Sequence, residues 1–286
     1  MKMMNLSTFF CMLLLVCFPF LASAFNAPGR SRLHKRFMGR GRMSHARPTG
    51  ERKLFFKARG FRAVTIARRH ESIFLDCEAG GSPAPTIHWL KDGERIAQGS
   101  FETHEDDTVA YEDILSDPEA EKLRLSSTKS RLYLDCATLA SEGEYTCVAE
   151  TPYMRKTQST IVKVEGHGFS SDMNCIAKRS ERGESARVYM WTASRLEYED
   201  NTVQLFCRAS GVPEPTITWY DSFNNTLSDE DDQFSIAVNG DLIISDISWF
   251  NNMGVYRCVA ENAYGSDSAE TFLYPTPRED VFPLPF

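Results

Sequence analysis

Two stretches of the chain repeat one pattern at the same internal distance: Cys77 is followed twelve residues later by Trp89, and Cys207 twelve residues later by Trp219. Each tryptophan sits in a matching phrase, GSPAPTIHWLK over 81–91 and GVPEPTITWYD over 211–221. Each half then closes with a tyrosine two residues before a cysteine, Tyr145 before Cys147 and Tyr256 before Cys258. Cysteines that bridge two facing sheets, an indole packed on the bridge and a phenol that ties the corner before the second cysteine together specify a β-sandwich, here twice. Period-two alternation agrees, since Ile73, Leu75 and Cys77 share a face, as do Val203, Leu205 and Cys207. Leu132 and Leu134 in one half, and Leu242 and Ile244 in the other, supply the facing strand.

The pattern resembles the intermediate set of the immunoglobulin superfamily, most clearly in CVAENAYG over 258–265. The expected fold is therefore all-β, with two tandem immunoglobulin-like (I-set type) sandwiches. The expected boundaries are a signal peptide at 1–24, a disordered basic arm at 25–58, a first domain at 59–166, a linker at 167–184, a second domain at 185–275 and a tail at 276–286. The acidic residue usual two positions before the corner glycine is replaced by Ser141 and Asn252. Loss of a charge-assisted bond there puts the rigidity of the corner in question, but not the fold.

Export follows from the first residues: Lys2, an apolar run from Phe9 to Leu21 and the triplet Ala22, Ser23, Ala24 read as a cleaved secretory signal. No later run is long enough to span a bilayer, so a secreted, extracellular product without membrane insertion is expected. Processing leaves six cysteines, an even number suited to three disulfides in an oxidising compartment. The core pairs are Cys77 with Cys147 and Cys207 with Cys258. Cys136 falls at an outward position and Cys175 lies in the connector. They either bridge each other, pinning the linker to the first domain, or remain as free or intermolecular thiols.

Charge is divided unevenly. From Phe25 to Arg69 there are fourteen Lys and Arg against one acid, whereas the rest of the mature chain holds seventeen bases against thirty-eight acids. The arm can act as a heparan-sulfate tether or a cleaved propeptide, or serve as a solvated leader. Nucleic acid is excluded as a partner by export. The first domain is longer between its core cysteines by nineteen residues, and Glu102 to Glu121 holds nine acids without Lys or Arg. That stretch reads as extra edge strands with a solvated turn, or as an acidic recognition loop.

Parity assigns the surface left for binding. Tyr220, Val259, Phe272 and Tyr274 point outward in the second domain, with Leu90, Val148 and Ile161 on the corresponding face of the first. Large apolar side chains at outward positions mark an interface, either between the domains or with a ligand. RVYMWT, Arg187 to Thr192, is apolar on both sides and places Tyr189 and Trp191 opposite Val188 and Met190. Asn224-Asn225-Thr226 is a glycosylation sequon in a polar turn.

With the ending DSAETFLYP over 267–275, the chain resembles the arthropod neural/ectodermal development factor family and the related nematode secreted two-immunoglobulin proteins. The resemblance implies a secreted protein that binds an insulin-like peptide hormone and limits its signalling. The same fold equally serves an extracellular adhesion or guidance cue that binds a cell-surface receptor. Six scattered histidines lack any metal-ligand spacing, and neither a GxSxG elbow nor a phosphate loop is present, so no enzyme, metal or cofactor is expected.

Overall fold

The structure, a computed structural model, describes residues 52–57, 61–99, 125–166, 183–229 and 231–277. In the first half the strands are β1 (Lys53–Phe56), β2 (Val64–Arg68), β3 (Ile73–Ser82), β4 (Thr86–Lys91), β5 (Glu94–Arg95), β6 (Leu125–Leu134), β7 (Gly143–Glu150) and β8 (Arg155–Glu165). In the second they are β9 (Glu184–Tyr198), β10 (Val203–Leu205), β11 (Cys207–Val212), β12 (Thr216–Tyr220), β13 (Thr226–Leu227), β14 (Phe234–Ile236), β15 (Leu242–Ile244), β16 (Gly254–Asn262) and β17 (Gly265–Thr276).

Each half encloses a core built on its repeat. The bridge Cys77–Cys147 lies with Trp89, Tyr145, Leu75 and Leu132, and the bridge Cys207–Cys258 with Trp219, Tyr256, Leu205 and Leu273. The buried indole N–H groups are satisfied, Trp89 donating to Ser130 Oγ at 3.0 Å and Trp219 to the Gly240 carbonyl at 2.9 Å. Both tyrosine corners form: the Tyr145 hydroxyl donates to the Ser141 carbonyl at 2.9 Å and Tyr256 to that of Asn252 at 3.1 Å. Loss of the corner carboxylate does not loosen the second half. Asn252 Oδ1 accepts the Ser248 N–H at 2.8 Å and its Nδ2 donates to Gln233 Oε1 at 3.1 Å, so a buried amide does the tying.

The two halves are joined within a sheet. A five-stranded sheet, β2-β8-β7-β4-β5, closes the first core, and a three-stranded sheet, β10-β15-β14, closes the second. The remaining strands make one nine-stranded sheet in the order β1-β3-β6-β9-β17-β16-β12-β13, with β11 also paired to β9. One edge of β9 pairs antiparallel with β6 of the first half, from Ser130↔Met190 to Leu125↔Leu196. Its other edge pairs with its own half, antiparallel to β11 and then parallel to β17.

Along Arg187 to Thr192 burial alternates without a break: Val188, Met190 and Thr192 are buried, and Tyr189 and Trp191 between them are half-buried. The register with β11 shifts between Val188 and Met190 and that with β6 between Thr192 and Ser194, and the alternation of burial breaks at Ala193–Ser194. Because β9 runs from one half to the other, Val188 belongs to the second core and Met190 to the first, and Phe206 of the second half also enters the first core.

The expected disordered arm at 25–58 is corrected at its C-terminal end. Lys53–Phe56 pairs with β3, and Leu54 alternates inward to become part of the first core. The basic charges flanking this stretch obscure a short strand whose inward residue has a place to be buried. Residues 25–51 lie outside the described residues, as do the acidic stretch Glu102 to Glu121, most of the linker and the tail from residue 278. Cys136 is disulfide-bonded, and Cys175 lies outside the described residues.

Candidate binding surface

Where the long sheet passes from one half to the other, one face covers the cores and the other is open. The open face follows from register. Phe272 on β17 lies beside Ser194 on β9, Ser194 beside Ser127 on β6, Ser127 beside Gly80 on β3 and Gly80 beside Phe55 on β1. A second row runs Tyr274, Leu196, Leu125. At about 4.8 Å between strands, the first row spans roughly 19 Å.

Small residues in the middle of that row and aromatic ones at its ends produce a groove of about 440 Å³. The ring of Phe55 lies over Gly80, where an added Cβ would meet it at 2.5 Å, so glycine is needed for the ring to lie flat there. Phe55, Leu125, Phe272 and Tyr274 remain 42, 37, 43 and 37% exposed, a cost in apolar surface that a folded chain ordinarily avoids in one place.

The walls are held firmly. Tyr274 meets Trp249 edge-on at 4.9 Å between centroids and Phe272 at 6.3 Å. Trp249 opens the helical turn α1 (Trp249–Asn252), whose Ser248 cap accepts the Asn251 N–H and whose Trp249 N–H donates to Glu199 at 2.6 Å. Next to it Phe250 is 95% exposed.

Beyond the groove the open face turns polar. Glu78 accepts from Ser127 Oγ at 2.7 Å and pairs with Lys57 at 2.6 Å. Burial works to raise the Glu78 carboxyl, but the bonds from Lys57 and Ser127, with the charge of Lys129, hold it below its ordinary range. Further along, Arg131 is bound by Asp76 at 2.7 Å and lies 4.3 Å from the Phe74 ring centre and 5.9 Å from that of Trp191.

The expected contact residues divide among three places. Phe272 and Tyr274 do stand outward in the groove, and Leu273 between them is fully buried in the second core. Val259 and Tyr220 share their face but lie farther along the strands: Phe272 pairs with Val255, whereas Val259 pairs with Ser268. Tyr220 pairs with Arg257, whose guanidinium sits 4.8 Å over its ring. Tyr189 packs against the first core and Trp191 against the second, so both belong mainly to the seam.

Leu90 and Ile161 lie on the five-stranded sheet, Leu90 half-buried and Ile161 exposed beside Val64 of β2. Val148 is a correction. Expected outward, it is fully buried, because β7 is the middle strand of that sheet and the valine sits between His88 and Thr157. Phe55, Leu125, Leu196 and Trp249 were absent from the expected set. Their proximity to Phe272 depends on the β6–β9 pairing and on β1, neither of which has a local signal in the sequence.

With this geometry in view, comparison with known proteins places the chain. It matches the immunoglobulin I-set domain over 195–274 and an immunoglobulin domain over 61–151. It is 33% identical over 213 residues to the Zwei Ig domain protein zig-4 of Caenorhabditis elegans, covering 74% of this chain and 76% of that one. It is 28% identical over 209 residues to the neural/ectodermal development factor IMP-L2 of Drosophila melanogaster, covering 73% and 72%. The crystal structure of that factor superposes with a TM-score of 0.57 over 80% of this chain and 98% of the other, at 24% identity, which shows a shared fold. The chain thus belongs to the two-immunoglobulin-domain family that includes the nematode Zwei Ig domain proteins.

Proposed function

We propose that this chain is a secreted binding protein that captures an insulin-like peptide hormone on the open face of the bridging sheet and so limits its signalling. The observation that carries the reading is the groove itself: Phe55 and Leu125 from the first half and Leu196, Phe272 and Tyr274 from the second form one apolar surface fixed by backbone pairing. Such a surface loses little conformational freedom on binding, and a small compact protein with an apolar patch of its own fits it. The choice of an insulin-like peptide rests on the resemblance drawn from the sequence. Export rests on the signal, and among the described residues no helix is long and apolar enough to cross a membrane.

The test is equilibrium binding of the secreted protein to insulin-like peptides and to unrelated disulfide-bonded peptides of similar size. Selective, saturable binding that is lost in Phe55→Ala and in Phe272→Ala supports the reading. Equal binding to both peptide sets, or full binding by both variants, overturns it. A heparan-sulfate role belongs to the basic arm, and deletion of residues 25–51 is expected to remove heparin retention without touching β1.

A further inference from the structure

The sequon at Asn224 lies at the far end of the nine-stranded sheet from the groove's β1 wall, and its surroundings are built. The turn between β12 and β13 closes through the Asp221 N–H to the Asn225 carbonyl at 3.0 Å and the Asn224 N–H to the Asp221 carbonyl at 3.0 Å. Asn224 takes φ of 66°, a left-handed conformation that asparagine tolerates better than most residues. The two asparagines are treated differently. Asn225 has its amide locked, Nδ2 donating to Asp221 Oδ2 at 2.8 Å. Asn224 has its carbonyl oxygen held by the Arg257 guanidinium, which itself lies over Tyr220, so that its Nδ2 is presented to solvent. Thr226, the third residue of the sequon, is exposed at the start of β13.

β13 ends the order of the long sheet, pairing with β12 on one side and with no described strand on the other. An exposed sheet edge is a template for pairing with another chain, and proteins blunt such edges with short strands, charge or covering groups. Here the strand is two residues long, and the sequon stands at its entrance.

We propose that Asn224 carries an N-linked oligosaccharide and that this glycan caps the β13 edge of the long sheet. In the transfer, Asn224 Nδ2 forms the bond to C1 of a sugar delivered on a lipid-diphosphate carrier. The bond from C1 to the carrier's phosphate oxygen breaks, the lipid diphosphate departs with that electron pair, and the nitrogen gives up one proton. The Arg257 contact survives the modification, because only the nitrogen is used and the carbonyl oxygen still accepts. From β13 to β17 is three strand spacings, about 14 Å, so the attachment point lies outside the groove.

The experiment is expression of the full chain through the secretory pathway of animal cells, with intact-mass analysis before and after peptide N-glycosidase and site mapping of the tryptic peptides. Wild type and Thr226→Ser are expected to lose carbohydrate mass and gain an aspartate at 224. Asn224→Gln and Thr226→Ala, which disrupt the sequon in different ways, are expected to show no change in mass. A secreted wild type without sugar at 224 overturns the site. For the edge, sedimentation of Asn224→Gln is expected to show concentration-dependent self-association that wild type lacks. Identical monomeric behaviour of the two overturns the capping role while leaving the site itself to the mass measurement. Neither outcome depends on which ligand, if any, the groove binds.

Discussion

The two halves share a pattern and a fold but differ in self-sufficiency. The second core, among the described residues, is made from its own half alone, whereas the first includes Met190 and Phe206 from the second. The second half also carries more buried polar reinforcement: the Asp241 carboxylate accepts the Cys207 N–H at 3.0 Å, Gln204 Nε2 at 2.8 Å and Arg208 Nη2 at 3.0 Å. Arg195 and Glu197 form a fully buried pair at 2.9 Å. The difference teaches that two similar sequences can fold in different dependencies. One half is a complete sandwich; the other borrows a strand and two side chains from it.

The sharpest way to break that comparison is to separate the halves. A chain of 183–286 is expected to retain a cooperative thermal transition by circular dichroism, and a chain of 47–166 to lose it. Stable folding of the first half alone would show that the borrowed residues are dispensable. Next in size, Phe206→Ala is expected to cost about 3 to 5 kcal/mol by chemical denaturation, through a cavity in the core of the other half. Loss of native protection centred on β3 and β4 would locate that effect.

Adjacent residues on β17 sharpen the comparison of packing with recognition. Leu273→Ala is expected to cost about 2 to 5 kcal/mol of folding. Phe272→Ala is expected to leave stability nearly unchanged and to cost about 2 kcal/mol of peptide binding, roughly 30-fold in Kd by titration. Val259→Ala, on the same face but outside the groove, is expected to change neither. If Phe272→Ala unfolds the protein and leaves affinity per folded molecule intact, the groove is structural.

The smallest effect concerns the two corners and appears only in alkali. Burial pushes both tyrosine hydroxyls up to about 12 from an ordinary 10, reinforced for Tyr145 by Asp92 and opposed for Tyr256 by its bond to Asn252. The unfolded chain then loses these protons before the native one does. Stability is therefore fully present below pH 10 and declines as pH rises toward 12. Tyr145→Phe and Tyr256→Phe are each expected to flatten that decline in a denaturation series, at the price of a lower plateau near neutrality.

Each sandwich was legible in the sequence because its determinants are local and periodic. The distance from Cys77 to Trp89, the alternation of Leu242 and Ile244, and the tyrosine before each last cysteine all act within one sheet pair. The position of Leu273 was legible for the same reason. The groove was not, because Leu125 and Leu196 become neighbours only through pairing of two strand edges, and register between edges far apart in sequence has no periodic signature. The irregularity at Ala193 then breaks the alternation on which a reading of faces depends. Phe55 was hidden for another reason: four residues among basic ones offer too little alternation to distinguish a strand from a tail.

Strand β9 has a kinetic consequence. Over Met190 to Leu196 its backbone is bonded to β6 on one side and to β11 or β17 on the other. Amide protons along this stretch are split between the two neighbours, those aimed at β6 protected by one half and those aimed at β11 or β17 by the other. Hydrogen exchange read residue by residue along this one strand therefore gives two clocks side by side. When they run at the same rate the halves open as one cooperative unit. When the side facing β6 runs faster, the first half has let go while the second still holds.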